Sequence, residues 1–205
     1  MIEIDEVIRF FDERAKNWDA NQDRSELVIS IILARAGIKP GIDVLDVACG
    51  TGILFGDYLA RSVGSVTAVD ISPEMAKIAA MKYPDAQIDV ICADIETVKL
   101  DKTFDAVVVY NSFPHFAAPK RLIKTLAGYT KPGGRLTVAH GASREAIDAA
   151  HLGAAARVSN GLMHEDELAE LMRPWFKVDV TISDELMYEV SGVRRSDAES
   201  LEREF

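Results

Sequence analysis

Two acids that end apolar runs, with a glycine turn between them, are the residues of this chain best suited to chemistry. Val44-Leu45-Asp46-Val47-Ala48 leads into Cys49-Gly50-Thr51-Gly52, and Val69-Asp70 closes the next apolar run. The second acid stands about twenty residues beyond the first, the spacing at which an acid meets a ribose in α/β cofactor sites. Glycines let ligand atoms approach bare backbone, and a strand-end carboxylate accepts from ribose hydroxyls. The pattern is that of a nucleoside-cofactor site. A dinucleotide turn would carry a third glycine, where this chain has Phe55, whose bulk works against the close helix–strand packing a pyrophosphate turn uses. Asp46, Asp70 and Asp94 together would repel an anionic cofactor and attract one that bears an ammonium and a sulfonium.

The histidines are the second set. His115, His140, His151 and His164 all fall in the second half of the chain. His115 follows the fourth predicted strand and His140 ends the fifth, so both approach the mouth of a pocket and are read as candidate general bases. Convergence of His115, His140 and His151, with Glu145 near, would suit a metal, but no pair has the i, i+4 or short-loop spacing of a metal motif, and no metal is assigned. His164 precedes an acidic helix start and is read as helping to begin that helix. Phe10, Phe11, Trp18, Phe113, Phe116, Met163, Met187 and Tyr188 fall in predicted pocket segments and point to a small, partly apolar molecule. Arg144 is a candidate partner for a substrate carboxylate.

These residues need a scaffold. Ile4, Val7, Ile8, Phe11, Ala15 and Trp18 recur at three- and four-residue steps, which predicts an N-terminal helix. Asp23 with Glu26 resembles a capping box, and Gly37 with Lys39-Pro40 ends a second helix whose interior is β-branched. From residue 42 strands and helices alternate. Strands are predicted at Asp43–Ala48, Ser65–Asp70, Ile88–Ala93, Phe104–Tyr110 and Arg135–His140. Helices are predicted from Ser72-Pro73, over Pro119 to Tyr129, from Ser143 to about Arg157, and over Glu165 to Met172. Lys131-Pro132-Gly133-Gly134 reads as a turn. Val- and Ile-rich strands separated by helices indicate a parallel sheet covered on both faces. Phe176–Ser183 and Leu186–Val193 alternate at period two and predict an antiparallel pair at one edge. The tail from Ser196 is charged and reads as a loose helix.

Bulk properties narrow the partners. The 205 residues suit one domain, with 1–38 as N-terminal helices, 42–193 as core and 194–205 as charged tail. Hydrophobic residues at 48% against 27% charged give a globular rather than a disordered composition. Thirty-three acids against 23 bases leave a net charge of −10, which repels phosphate backbones and argues against nucleic acid as the main partner. The N-terminus has no secretory pattern and the most apolar run, Leu27 to Ala34, is too short to span a bilayer. Cys49 and Cys92 end predicted buried strands and read as reduced core residues, and the chain as cytoplasmic. Nothing in the sequence fixes the oligomeric state.

The motifs, taken in order, resemble the class I S-adenosylmethionine (SAM)-dependent methyltransferases. Asp46-Val-Ala48-Cys-Gly50-Thr-Gly52 is similar to their first motif, with Ala48 where many members have glycine. Asp70-Ile71 resembles the pair that holds the ribose and flanks the adenine, and Ala93-Asp94-Ile95 the motif that meets the adenine amino group. Asn111-Ser112-Phe113-Pro114-His115-Phe116 takes the place that borders the transferred methyl, and Lys131-Pro132-Gly133-Gly134 the turn into strand five. Phe11 to Asp19, Trp18 included, resembles the lid helix of the ubiquinone/menaquinone-biosynthesis-like branch. The resemblance implies an α/β, doubly wound, mostly parallel seven-stranded Rossmann-like sheet with an antiparallel edge hairpin and a helical lid. It implies SAM as cofactor, S-adenosylhomocysteine (SAH) as product, and methyl transfer to a small molecule. The alternatives are a SAM-binding partner or regulator without transferase activity, a nicotinamide-dependent oxidoreductase, and a macromolecule methyltransferase.

Overall fold

The computed structural model describes residues 2–21, 24–84 and 87–196. Five parallel strands form the centre: β1 (Asp43–Val47), β2 (Ser65–Asp70), β3 (Ile88–Cys92), β4 (Phe104–Tyr110) and β5 (Thr130–His140). β6 (Phe176–Ser183) and β7 (Tyr188–Arg194) complete a seven-stranded sheet of order β3-β2-β1-β4-β5-β7-β6. β7 runs antiparallel to both β5 and β6. The hairpin is the predicted edge pair, but its second strand, not its first, lies against β5.

β1 and β4 are buried almost throughout, as expected of strands with helices on both faces. Leu45, Val47, Val107 and Val109 face a core closed by α5 (Pro119–Tyr129) and α7 (Glu165–Met172). Val44, Val66, Ala106 and Val108 face the other, closed by α2 (Glu26–Arg35) and α3 (Phe55–Ala60). The β-branched interior of α2 is therefore a buried helix face, with Ile29, Ile32 and Leu33 almost wholly covered. Its N-cap is Ser25, whose Oγ accepts from Val28 N at 3.4 Å; the predicted cap Asp23 lies outside the described residues. The tail after Ser196 lies outside them too.

The structure departs from sequence expectation in three places. β5 begins at Thr130, which pairs with Phe104; the ladder is then irregular and resumes at Arg135 opposite Ala106. Gly134 makes this possible, because a Cβ there would stand 2.9 Å from the carbonyl oxygens of Asp105 and Lys131. The helix expected over 143–157 stops as α6 (Arg144–Ala150), and a 3-10 turn over Gly153–Val158 follows, entered through Gly153 at φ +68°. Cys92 is exposed rather than core, since β3 is an edge strand with no fully buried residue; Cys49 is buried as expected.

α1 (Ile4–Ala15) packs on α4 (Pro73–Lys82) and on the 153–158 turn, with Val7 and Phe10 buried against Val158. Ser72 caps α4 by accepting from Met75 N at 3.2 Å, and Pro73 opens it, as the sequence indicates. The Asp12 carboxylate takes the Ser72 hydroxyl and lies 3.2 Å from Glu74 N, which ties α1 across the start of α4. No helix among the described residues is long and apolar enough to cross a membrane.

Candidate functional site

A cavity opens where the central strands end. Its floor comes from the segments that follow β1 (Ala48 to Thr51), β2 (Asp70, Ile71), β3 (Asp94, Ile95) and β4 (Asn111, Ser112, His115). Phe11 and Trp18 cover it from the N-terminal helix side. This is the carboxyl end of the sheet, beside the point at which strand order reverses between β1 and β4, where ligands of α/β proteins bind.

Asp70 organises the floor. Its Oδ2 accepts from Gly50 N at 2.7 Å and its Oδ1 from Ser72 N at 2.9 Å, so one carboxylate bridges the glycine turn and the start of α4. Each oxygen keeps a lone pair for a ligand hydroxyl. Burial raises the Asp70 pKa to about 6, against the pull of the two backbone N–H groups. Ala48 takes φ +52°, a left-handed conformation that strains a non-glycine residue, and Gly50 follows at φ +56°, which glycine adopts freely. Trp18 Nε1 hangs over Gly50, 3.9 Å from where a Cβ would be. Thr51 donates its hydroxyl to Asp19, and Lys82 reaches the same carboxylate at 2.7 Å, which fastens the segment after α1 to the turn.

At the other strand ends, Asp94 accepts from Glu96 N at 2.9 Å and makes a local turn that presents Ile95 beneath the cavity. Asn111, at φ +55°, accepts from Gly141 N at 2.9 Å and so links the ends of β4 and β5. Phe11 stacks edge-on against Trp18 and His115, at 5.4 and 4.9 Å between ring centres, closing an aromatic wall.

Several expected site residues sit elsewhere. Asp46 is 2% exposed beneath the turn and does not line the cavity. Burial first, and the nearby Asp70 charge second, push its pKa to about 8, so it does not supply the negative charge the sequence suggested. Gly52 does not line that cavity either; a Cβ there would meet the Phe55 ring at 2.6 Å. Phe55 is thus accommodated because Gly52 leaves it room, and the ring fills the space between turn and sheet. His140 is 1% exposed, stacked edge-on against Tyr188, and does not line the main cavity; burial lowers its pKa to about 3. A group so sealed does not contact a ligand. His164 caps α7, its Nδ1 accepting from Asp166 N at 3.3 Å, which is the helix-starting part expected of it.

The aromatic and Met residues divide between floor and core. Phe11, Trp18 and Phe116 line the main cavity, while Phe113, Phe116 and Met163 line a second one behind it with Arg144 and His151. Phe10, Met187 and Tyr188 are buried in the cores. Arg144 stands 3.9 Å from Glu165, its nearest acid. Sequence reasoning missed Asp12 and Asp19, which tie the segment around Phe11–Trp18 down, and it weighed His151 only for convergence with His115 and His140 on a metal; of these, His151 does touch His115. No spacing marks them, because each acts on residues far along the chain.

Residues 45–138 match the methyltransferase domain family. The demethylmenaquinone methyltransferase of Renibacterium salmoninarum is 33% identical over 66% of this chain and 58% of its own length. The ubiquinone biosynthesis O-methyltransferase of Xanthomonas campestris is 33% identical over 58% of this chain and 53% of its own length. The chain therefore spans little more than half the length of these curated relatives. A Burkholderia thailandensis 1,6-didemethyltoxoflavin-N1-methyltransferase, solved with 1,6-didemethyltoxoflavin and SAH, superposes with a TM-score of 0.70 at 18% identity, covering 93% of this chain and 88% of that one. The strand order and the glycine turn with its Asp70 bridge accompany these likenesses: residues 45–138 are similar to the methyltransferase domain family, and the chain shares its fold with solved methyltransferases.

Proposed function

We propose that the protein transfers a methyl group from SAM to a small, partly apolar acceptor. The observation that carries this is the Asp70 bridge: a carboxylate at the end of β2, fixed by two backbone N–H groups, faces a cavity whose other strand-end residues fall in family order. Asp70 would take the ribose hydroxyls, Ile71 and Ile95 the adenine faces and Asp94 its amino edge. The backbone of Ala48, Gly50 and Thr51 would border the amino-acid end, beneath Trp18, and Asn111 the reacting carbon. Bound SAM supplies an electrophilic methyl for in-line displacement; the chain supplies alignment and the exclusion of water by the Phe11–Trp18 wall. The relatives' names, a demethylmenaquinone methyltransferase and a ubiquinone biosynthesis O-methyltransferase among them, support an acceptor that is a small molecule.

Calorimetric titration with SAM and SAH, followed by turnover against a panel of phenols, quinols and heteroaromatic amines, tests the reading. One binding site and a methylated product are expected. Saturable SAM binding with no product across the panel would instead favour a cofactor-binding regulator, and NAD(P) binding without SAM binding a dehydrogenase.

A further inference from the structure

His115 follows β4 and His151 ends α6, and their Nε2 atoms face each other at 3.2 Å. Each ring's other nitrogen is already engaged. His115 Nδ1 lies 2.7 Å from the Val158 carbonyl oxygen, and His151 Nδ1 lies 2.6 Å from that of Ile147. A carbonyl oxygen accepts and never donates, so both Nδ1 atoms carry hydrogen. In the neutral rings both Nε2 atoms then present lone pairs to each other, an arrangement that repels unless a positive species stands between them.

A proton or a metal ion could do so, and ring geometry separates the two. A proton on a straight N–H···N line would place the ring centres about 5.5 Å apart, each centre being about 1.15 Å behind its nitrogen. An ion about 2.05 Å from each nitrogen along its lone pair would subtend an angle of about 103° at this separation and bring the centres to about 5.0 Å. The observed separation of ring centres is 4.9 Å. That separation is shorter than the straight proton-bridged arrangement gives and agrees with the ion-bridged one. Anchoring of Nδ1 by a backbone carbonyl is also the support that metal-bound histidines have.

We propose that His115 and His151 bind one divalent first-row transition-metal ion, Zn²⁺ or a similar cation, through their Nε2 atoms. Among the described residues no group of three or more His, Cys, Asp or Glu side chains is placed to enclose such an ion. It therefore keeps open positions for water or for ligand oxygens, as ions at reactive sites do. His115 lines the main cavity and His151 the second, so the ion stands on the wall between them. A ligand with two adjacent oxygens, such as a catechol or a hydroxy acid, suits those positions. The site rests on its own geometry and does not depend on methyl transfer.

The test is equilibrium dialysis of the chelator-treated full chain against Zn²⁺ and Co²⁺, with the visible spectrum of the Co²⁺ form. One ion per chain is expected, with His115→Ala and His151→Ala each weakening binding at least tenfold. His164→Ala, at an exposed position, should bind as the parent does. Nitrogen-15 NMR of the parent guards against misfolded variants: Zn²⁺ should shift both Nε2 resonances and leave both Nδ1–H signals in place. No binding at millimolar Zn²⁺ overturns the proposal, as do binding that survives loss of both histidines and an Nε2 proton that Zn²⁺ does not displace.

Discussion

At the scale of residues, two strand-end acids that look alike in sequence do opposite things. Asp70 is held by backbone N–H groups at the cavity floor, while Asp46 is sealed beneath it with a pKa raised to about 8. The native state thus holds a proton on Asp46 that the unfolded chain releases near pH 4, so this residue makes stability fall as pH rises from about 4 to about 8. Asp70, raised to about 6, acts in the same direction over the lower part of that range. His140, kept neutral down to about pH 3, acts the other way, adding stability as pH rises until its unfolded value is passed. Glu189, raised by burial to about 7, acts as Asp46 does up to that pH, so among these groups Asp46 dominates between about pH 7 and 8. Urea unfolding of Asp46→Asn across that window should show a flatter pH dependence than the parent; an identical slope would mean that Asp46 is ionised in the fold. That Asp70, Asp94 and Gly50 meet at the ends of neighbouring strands around one cavity was legible from residue type and spacing. The burial of Asp46 was not, because a pattern of acids does not say which side of a turn each one faces.

Elements carry the lid and the turn. Ser72 caps α4 and also gives its hydroxyl to Asp12 of α1, so one side chain stabilises a helix start and holds the covering segment. Ser72→Ala should cost about 1 kcal/mol through the cap, lowering the melting temperature by about 2–4 °C for a chain of this size, as differential scanning fluorimetry would show. Trp18→Ala opens the aromatic wall above Gly50. It should shorten SAM residence in stopped-flow displacement by SAH more than it slows association, and an unchanged off-rate would remove Trp18 from the lid. Helix starts, strand periods and the glycine stops were legible because each is a local signal. The docking of α1 on α4 was not, since Asp12 finds its partners in Ser72 and Glu74, far along the chain.

The whole molecule is a doubly wound sheet finished by a hairpin whose last strand inserts beside β5. Strand identities followed from apolar runs, and the edge pair from period-two alternation in Phe176–Ser183. The order within the hairpin did not follow, because both strands alternate and only packing on β5 chooses between them. Net charge acts at this scale too. With −10 over 205 residues, gel-shift assays at near-physiological salt should show no retention of duplex DNA or RNA, and salt-dependent retention would point to a macromolecular substrate. The central claim, that the Asp70 bridge marks a SAM site, is tested most directly by calorimetric titration of SAM into the parent and Asp70→Ala at pH 7.5. The account predicts one site per chain, competed by SAH, and a loss of about 10- to 100-fold in the variant from hydrogen bonds to a charged group. Equal affinity in the two proteins, or no SAM binding by the folded parent, would contradict it.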